Sequence, residues 1–450
     1  MSTGIRESQN IEFKLAWRDE YLKTICAFAN TGGGTLLIGM DDKGKALGAE
    51  NAERLLEDIP NKIKNKLGVT PSVAIESRDG KNIMKVDIKS ANMPVSYNGK
   101  YYRRSGSTTS ELNGSELTHF LLDKLGTTWD SLPTEINLAG ADGVIDKDAV
   151  ELFKSLTKKR IPALSETDST EKIFRNLELV TEDNKLTKAA LLLFGKNPQR
   201  YVNAAKTRVG RFRGSEILDT VIADGSLFRQ VEVATEAVKK HLSVRFETRG
   251  IAREDIWDYP LDAVREAVIN AVIHKDYLST AEIQIKIYDD KARFWNPGNL
   301  PEELSPEALK EEHSSYPRNR LIANAFYLAG LIEQWGSGTK RIVDLCKEQE
   351  LPEPEYKEEQ GGFGIWFYKD IYSEENLRKM ELSERQIKAV LYVKDHGKIT
   401  NKDYREISGI SKPTTTRDLA DLVDKNILGI KGKGKRDIHY ILIKPKMSQK

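Results

Sequence analysis

The sequence predicts a mixed chain of α/β and α+β domains. Helical spacing and strand-like alternation of apolar residues both recur along its length, which is typical of such folds. The 450 residues are enough for three or four domains, and 39% hydrophobic with 31% charged residues indicates a globular protein with a highly charged surface. We expect segments at 1–131, 132–255 (an α/β connecting region), 256–372 and 378–450.

Overall charge and cysteine content narrow the functional classes. The formal net charge is only +2, so a nucleic-acid partner would have to be met by local basic patches. The cysteines, Cys26 and Cys346, lie far apart in apolar contexts, which predicts buried free thiols rather than a disulfide or zinc site. Neither a signal peptide nor a membrane-length apolar run is evident, so we expect a cytoplasmic protein.

The N-terminal segment alternates strand-like and helical patterns around two acidic stretches. Residues 11–15 alternate apolar and charged side chains, residues 20–30 have helical spacing, and a glycine turn then leads into an apolar strand at 35–40. That strand ends at Asp41 and Asp42, so the fold would bring two distant acidic stretches to neighbouring strand ends.

The residue types in these stretches suit a metal-dependent nuclease. Carboxylates of Glu7, Glu12 and Asp42 could hold Mg²⁺ or Mn²⁺, which generates hydroxide, while Lys14 stabilises charge on the phosphate. The alternative is that Glu12 and Lys14 are ordinary exposed partners and that Asp41 and Asp42 form a hairpin turn.

A longer block resembles the Schlafen/AlbA-type domain. It comprises Glu7-x4-Glu12-Phe13-Lys14, Cys26-Ala27-Phe28-Ala29-Asn30-Thr31, Leu37-Ile38-Gly39-Met40-Asp41-Asp42 and Tyr102-Arg103-Arg104-Ser105-Gly106-Ser107. The resemblance implies that Glu7, Glu12, Lys14 and Asp42 form a nuclease site, with Asp41 as the neighbouring alternative to Asp42. The same pattern also occurs in bacterial members described only as DNA-binding.

Two arginines near the end of this segment are candidates for phosphate contact. Arg103 and Arg104 precede a Ser/Gly/Thr loop at 105–109, which supplies guanidinium, hydroxyl and backbone donors. The next segment, 132–255, contains helical spacing at 146–158, 170–177 and 226–242 and a strand-like alternation at 207–213. It offers no evident chemistry, so we expect it to couple the first lobe to the segment at 256–372.

The stretch 261–277 is predicted to be a helix with one functional face. Glu266, Asn270 and His274 recur every four residues and so form one polar stripe. The carboxylate could act as a general base and the amide oxygen could ligate the magnesium of a nucleotide. The alternative is a solvated polar face without a ligand.

Downstream motifs favour the nucleotide. A strand at 283–287 and a second strand lead into Asn296-Pro297-Gly298, and Gly336-Ser337-Gly338-Thr339 opens a further helix. A glycine-rich helix start offers free backbone N–H groups and a positive dipole end to phosphate.

The order of these motifs resembles the GHKL ATPase superfamily, and more closely the divergent GHKL-like α/β sandwich module of bacterial "predicted transcriptional regulators". The resemblance implies ATP as the cofactor and a homodimer or larger homo-oligomer. It implies the following roles: Glu266 as base, Asn270 as magnesium ligand, Asn296 and Gly298 at adenine, and Gly336, Gly338 and Thr339 at the phosphates. Asn296 replaces the family's Asp and Leu300 its second glycine, so we expect weaker adenine contact and inefficient hydrolysis.

The C-terminal segment resembles a winged helix-turn-helix. Helices are predicted at 383–396, from Thr400, and at 412–425 after the capping Ser411, followed by strands at 427–430 and 438–442. Candidate DNA contacts are Lys412, Thr414, Thr415 and Arg417 in the second helix of the motif and Lys433, Lys435 and Arg436 in the wing. The alternative is a winged helix that contacts protein.

Two functions remain open from the sequence. One is a nucleotide-gated effector that binds and cuts DNA or RNA (for example tRNA) with a divalent metal, as in phage defence or RNA degradation. The other is a transcriptional regulator whose DNA affinity responds to ATP and which does not cut. The complete set of Glu7, Glu12, Lys14 and Asp42 favours the first, whereas the altered glycine box and the C-terminal winged helix favour the second. We expect the first, with the second as the alternative.

Overall fold

A computed structural model describes residues 6–158, 160, 168–249, 252–301, 303–333, 336–370, 372, 374–380, 382–432 and 438–443. The chain divides into two compact units. The first unit comprises 1–204, 273–280 and 317–330, and the second comprises 205–272, 281–316 and 331–450.

The first unit begins with a four-stranded sheet. Its elements are β1 (Ile11–Lys14), α1 (Leu22–Asn30), β2 (Gly34–Ile38), α2 (Ala52–Leu67), β3 (Ser72–Arg78) and β4 (Lys81–Ile88), with strand order β1-β2-β4-β3. The β1–β2 pair is parallel and the other pairs are antiparallel. Apolar side chains of α1 and α2, such as Ile25, Phe28 and Ile59, are fully buried in one core with Leu36 and Met84. The predicted strand, helix, glycine turn and strand are therefore confirmed.

A second, smaller sheet packs on α1 in the same unit. This sheet consists of β5 (Ser96–Tyr97), β6 (Lys100–Ser105) and β7 (Thr108–Glu111). The chain continues with α3 (Gly114–Lys124), β8 (Pro133–Asn137), α4 (Lys147–Thr157), α5 (Thr170–Asn176), β9 (Lys185–Thr187) and α6 (Lys188–Phe194). Asn30, at the end of α1, is buried and donates from Nδ2 to Val95 O (2.8 Å) and Tyr102 O (3.0 Å). This amide fixes residue 95 and β6 to the C-terminal end of α1.

The second unit is built on a six-stranded sheet. In chain order, the elements from residue 207 to residue 368 are β10 (Thr207–Arg213), β11 (Glu216–Ala223), α7 (Leu227–Lys240), β12 (Val244–Arg249), β13 (Ala252–Trp257), α8 (Leu261–His274), β14 (Ile283–Ile287), β15 (Lys291–Pro297), α9 (Arg320–Leu328), α10 (Gly338–Glu348), β16 (Glu355–Glu359) and β17 (Gly362–Tyr368). Helix α9 and the last two residues of α8 belong to the first unit.

The strand order in this sheet is β11-β10-β14-β15-β17-β16, and only β10 and β14 run parallel. Strands β14 and β10 begin and end where the alternation predicted. Helix α8 carries the predicted stripe, but it ends at His274 rather than Tyr277. Its apolar side chains Val264, Val268 and Val272 are fully buried.

The C-terminal part of the second unit contains α11 (Glu374–Lys379), α12 (Glu384–His396), α13 (Asn401–Ser408), α14 (Lys412–Asp424), β18 (Leu428–Lys431) and β19 (His439–Leu442). Ser383 and Thr400 form capping boxes that start α12 and α13. Asp418 joins the three helices, because it accepts from Arg385 Nε (2.5 Å) and Tyr404 Oη (3.1 Å). None of the helices in the described part of the chain has the length and apolarity needed to cross a membrane.

Candidate nucleotide and nucleic-acid sites

The N-terminal residues predicted for catalysis meet at β1. Glu12 and Lys14 lie two residues apart and so share one face of the strand. Lys14 Nζ is 2.6 Å from Glu12 Oε1 and 3.9 Å from Glu7 Oε1. Glu7 folds back over the strand and accepts a hydrogen bond from Phe13 N (2.9 Å). The structure therefore brings three of the four predicted residues together.

Arg104 completes this group, which we call the β1 cluster (Glu7, Glu12, Lys14 and Arg104). Its side chain is 1% exposed, and Nη2 lies 2.9 Å from Glu12 Oε2 as an ion pair without hydrogen-bond geometry. The guanidinium donates instead to Ser8 O (2.9 Å), Gln9 O (3.3 Å) and Thr109 Oγ1 (3.2 Å).

The predicted phosphate contact is not available to Arg104 in this structure, because its guanidinium is buried and its donors are used internally. It is a structural cation that fastens the N-terminal segment and the β7 strand to Glu12. Arg103 points elsewhere: its side chain is 37% exposed and lies 3.9 Å from Glu116. The role of Arg103 as a phosphate contact stays a prediction.

The acidic turn after β2 does not join the cluster. Asp41 Oδ1 accepts from Lys43 N (3.0 Å) and Lys45 N (2.8 Å), which is a turn-forming arrangement. Asp42 is exposed. Across the described residues, no three His, Cys, Asp or Glu side chains are grouped to hold a metal ion.

These residues do not fit the expected three-carboxylate metal site in the present arrangement. The ammonium of Lys14 already lies between the two glutamates, and Arg104 is paired with the second oxygen of Glu12. The metal-ligand roles of Glu7, Glu12 and Asp42 stay a prediction.

The second candidate site lies on α8. Glu266 is 8% exposed, and its Oε1 accepts a hydrogen bond from Asn270 Nδ2 one turn later (3.4 Å). Burial raises the pKa of the Glu266 carboxyl, while Arg341 and the Asn270 amide act in the opposite direction. A buried carboxyl of this kind is suited to taking up or releasing a proton.

The glycine-rich start of α10 lies directly on this pair. A Cβ atom at Gly338 would collide with Glu266 Oε1 and would lie 3.6 Å from Asn270 Nδ2. Gly336 has φ +67°, and a Cβ there would collide with His313 O. Gly336 is therefore required by its conformation and by close approach to backbone, whereas the atom that faces Gly338 is the end of the Glu266 side chain. The structure joins the predicted helix stripe to the predicted glycine loop.

Two residues without any sequence signal fix the first turn of α10. Tyr356 Oη donates to Thr339 O (2.6 Å), and His313 Nε2 lies 2.9 Å from Thr339 Oγ1. His313 Nδ1 is bonded to Ser314 O (2.9 Å), so in the neutral ring Nδ1 donates and Nε2 accepts from the Thr339 hydroxyl. His313 lies in a polar loop and Tyr356 in an alternating strand, so neither could be singled out beforehand.

Asn296 and Gly298 lie at the end of β15. Asn296 is buried, and its Nδ2 donates to Pro297 O (3.2 Å). Gly298 has φ +107°, a conformation that favours glycine, and its N–H donates to Gly361 O (3.3 Å). Their adenine-binding roles stay a prediction.

The predicted DNA contacts of α14 are divided between its two faces. Lys412 and Arg417 are exposed and Thr414 is half-buried. Thr415 is fully buried, and its Oγ1 donates to Ser411 O (3.1 Å), so this residue packs in the core and is not placed to contact DNA. The predicted wing residues Lys433, Lys435 and Arg436 lie outside the described residues.

Both cysteines are free and buried, as predicted. Burial raises the pKa of Cys26 to about 11 and that of Cys346 to about 12. Thiols of this kind are largely protonated near neutral pH, so neither is suited to act as a nucleophile or metal ligand.

Comparison with family models supports the two resemblances. Residues 7–113 match the model described as "Schlafen, AlbA_2", and residues 280–367 match HATPase_c_4, described as "Putative ATP-dependent DNA helicase recG C-terminal". The chain therefore combines a Schlafen/AlbA_2-type domain with a RecG-C-terminal-like ATPase-type domain. Glu266 and Asn270 precede the second match. A comparison with curated proteins found no similar sequence.

Two solved structures resemble the chain. The DIP2311 protein from Corynebacterium diphtheriae is 19% identical over 96% of this chain and 92% of its own, with a TM-score of 0.45. The N-terminal domain of a "Putative ATP-dependent DNA Helicase RecG-related Protein" from Nitrosomonas europaea is 29% identical, over 23% of this chain and 83% of its own, with a TM-score of 0.20.

Proposed function

We propose that the protein is a nucleic-acid-binding protein whose binding responds to ATP. The observation that carries the proposal is the contact between Gly338 and the Glu266–Asn270 pair. A side chain at position 338 would collide with the Glu266 carboxyl, and glycine leaves bare backbone at a helix start, beside a buried carboxyl and an amide. That combination suits a magnesium-bound phosphate chain.

In this proposal each group of the second site has one task. The backbone N–H groups of the first turn of α10, at Gly338 and Thr339, bind phosphate oxygens. The Asn270 amide oxygen would be a ligand for magnesium, and the buried Glu266 carboxyl would accept or release a proton. The domain match at 280–367 supports ATP as the nucleotide.

Nucleic acid is proposed as the partner on two grounds. The N-terminal match is to a Schlafen/AlbA_2 domain. The order of α12, α13, α14, β18 and β19 supports a winged helix as a proposal, and in such a domain the N-terminal end of the last helix enters the major groove. Lys412 and Arg417 are the exposed cations at that end of α14.

Cleavage by a divalent metal is a second candidate function. It is favoured by the convergence of Glu7, Glu12 and Lys14 at one strand end. The same geometry also supports the non-cleaving regulator, since both oxygens of Glu12 are paired with cations. We therefore place cleavage second.

The nucleotide proposal is tested by calorimetry of magnesium-ATP binding to the wild-type protein and the Asn270→Ala variant. We expect at least about tenfold weaker binding in the variant, because it removes a proposed magnesium ligand, and even residues that only support a metal's ligands contribute about 10–100-fold to its affinity. Duplex DNA affinity, measured with and without ATP, should change in the wild type only. Unchanged ATP affinity in the variant would contradict the assignment of α8.

Cleavage is tested with labelled single-stranded DNA, duplex DNA and tRNA, each with Mg²⁺ or Mn²⁺ and with or without ATP. The matched control is a Glu7→Ala/Glu12→Ala variant whose ATP binding is measured in parallel. Metal-dependent cutting that the variant loses, with ATP binding intact, would make the β1 cluster a nuclease site. No cutting of any substrate, with duplex binding retained, would leave the ATP-responsive regulator.

A further inference from the structure

The six-stranded sheet has a second face that the proposed function does not use. Side chains alternate along β15: Ala292 and Phe294 are fully buried in the core, whereas Lys291 and Arg293 lie on the opposite side. Register extends this side across the sheet, because Lys286 lies opposite Arg293 and Arg293 lies opposite Trp366.

Aromatic rings and cations lie next to one another on this side, and Glu355 and Glu359 of the edge strand β16 lie beside Trp366. We call it the aromatic–basic face; it consists of Phe212, Lys286, Tyr288, Lys291, Arg293 and Trp366. The rings of Phe212 and Tyr288 are 5.5 Å apart, and Lys286 Nζ lies 5.6 Å from the Phe212 ring centre. Lys291 Nζ lies 5.7 Å from the Tyr288 ring and 5.6 Å from the Trp366 ring.

A glycine makes room for one of these rings. Gly210 precedes Phe212 on the same side of β10, and a Cβ atom at Gly210 would lie only 2.7 Å from the Phe212 ring. The ring therefore lies flat across its own strand instead of standing out from it. All three rings of the face are half-buried and so keep part of their surface open.

The cations of the face are of two kinds. Arg293 is buried and paired with Glu359 (2.7 Å), so its charge is compensated. Lys286 and Lys291 contact rings and, within the described part of the chain, neither forms a salt bridge. Burial and the nearby Arg293 lower the pKa of Lys286. An anion placed over the two lysines would relieve this crowding of positive charge.

We infer that the aromatic–basic face binds single-stranded nucleic acid. Unpaired bases stack on Phe212, Tyr288 and Trp366, and Lys286 and Lys291 contact the phosphates between them. A sheet with exposed rings and interleaved cations is a platform for bases that are free to stack, and duplex DNA does not offer its base faces. This surface adds to the proposed function and depends neither on the β1 cluster nor on α14.

The stacking part is tested by Trp366→Leu beside Trp366→Phe. Binding of a fluorescein-labelled thymidine homopolymer of about 20 nucleotides is followed by anisotropy, since homopolymers form no duplex. Loss of one stacked base should weaken binding between about fivefold and about 150-fold in the leucine variant. The phenylalanine variant keeps a ring and should bind within a few-fold of the wild type, which excludes a mere folding defect.

The electrostatic part is tested by Lys286→Gln/Lys291→Gln beside Lys147→Gln/Lys196→Gln, which removes the same charge from exposed sites of the first unit. Each phosphate contact contributes about 0.7 to the slope of log affinity against log salt for single strands. We expect the slope of the first variant to fall by about 1.4 and that of the second to match the wild type.

The outcomes separate this inference from the proposed function. If single-strand affinity is the same in Trp366→Leu, in Lys286→Gln/Lys291→Gln and in the wild type, the face is not a nucleic-acid site, although ATP-responsive duplex binding could still hold. If the face variants lose single-strand binding while duplex binding shows no response to ATP, the face is supported and the proposed function is not. Equal loss of single-strand and duplex affinity in the face variants would also overturn the inference.

Discussion

Glu12 and Glu266 are equally buried, at 8% exposure, but their neighbours differ. Glu12 has a lysine at 2.6 Å and an arginine at 2.9 Å, so both of its oxygens face positive charge. Among the described residues, Glu266 has only the Asn270 amide within hydrogen-bond distance, and its pKa is raised by burial. Burial alone therefore does not decide the chemistry of a carboxylate, because the compensating charge beside it also sets its protonation.

The different surroundings of Glu12 and Glu266 give the β1 cluster and helix α8 different roles. In the β1 cluster the charges hold the chain together, because Arg104 ties residues 8 and 9 and the β7 strand to Glu12. At α8 the carboxylate is left with little compensation and faces a glycine-rich loop, which leaves it available to a ligand. Substitutions in the β1 cluster should therefore lower the stability of the fold, whereas substitutions at α8 should weaken the binding of a ligand.

The largest expected effect is that of Arg104→Ala. Removing one partner of a buried ion pair leaves an uncompensated charge and costs about 3–5 kcal/mol. Three hydrogen bonds to the N-terminal segment and Thr109 are lost as well. We expect a matching loss in the free energy of unfolding of the N-terminal lobe, read from hydrogen exchange of residues 11–14 and 34–38.

Arg103→Ala is the matched control for this prediction. The Arg103 side chain is 37% exposed and lies 3.9 Å from Glu116. Its removal should therefore lower the free energy of unfolding by less than about 1 kcal/mol. Equal protection in both variants would mean that Arg104 does not hold the β1 cluster together.

Gly338→Ala should have the next largest effect, and it acts on the second region. The added methyl group would collide with Glu266 Oε1, so the Glu266 carboxyl must turn away from the start of α10. We expect ATP affinity, measured by calorimetry, to fall at least about tenfold. Ser337→Ala is the control, because the Ser337 side chain makes no capping hydrogen bond; the same loss in both variants would argue against the close contact.

The sequence predicted the elements of both regions but only part of each site. Periodicity placed β14, β10 and the start of α8, and spacing placed Glu7, Glu12 and Lys14 at one strand end, because these are properties of neighbouring residues. The role of Arg104 could not be predicted, since its partner Ser8 lies 96 residues away in the chain. Tertiary packing alone decided that this arginine is buried and Arg103 is not.

Tertiary contacts also decided the placement of residues in the second unit that the sequence pattern could not predict. Ser, Thr and basic residues at the start of α14 all suit DNA contact by type, yet Thr415 packs inward, because its position on the helix falls on the side of Leu419. His313 reaches Thr339 from a loop 26 residues earlier, and no local pattern marks it. Contacts between distant segments are what the sequence pattern lacks.

A smaller effect is expected from Glu266→Gln, and it should appear as a change in how the free energy of unfolding depends on pH. Because burial raises the pKa of Glu266 above its ordinary 4.5, the folded state favours the protonated carboxyl. The protonated Glu266 carboxyl therefore stabilises the folded wild type below pH 4.5. This stabilisation is lost as the pH rises through the raised pKa. Each tenfold increase in the proton affinity of the carboxyl on folding corresponds to about 1.4 kcal/mol.

Glutamine imitates the protonated carboxyl at every pH and still accepts from Asn270. The unfolding free energies of wild type and Glu266→Gln should converge in acid and separate as pH rises, with the variant the more stable of the two. Urea unfolding from acid to neutral pH measures the difference, in which the other titrating groups cancel. A constant difference across this range would show that Glu266 has the same pKa in both states.

The smallest expected effect is that of Lys14→Gln. The lysine side chain is 24% exposed, so water screens its pair with Glu12 far more than it screens Arg104, and we expect a loss below about 1 kcal/mol. A double-mutant cycle with Glu12→Gln measures the coupling directly by urea unfolding. A coupling as large as the loss in Arg104→Ala would mean that Lys14, rather than Arg104, is the main counter-charge of Glu12. Lys14 would then be structural, and cleavage at the β1 cluster would lose its candidate for stabilising phosphate charge.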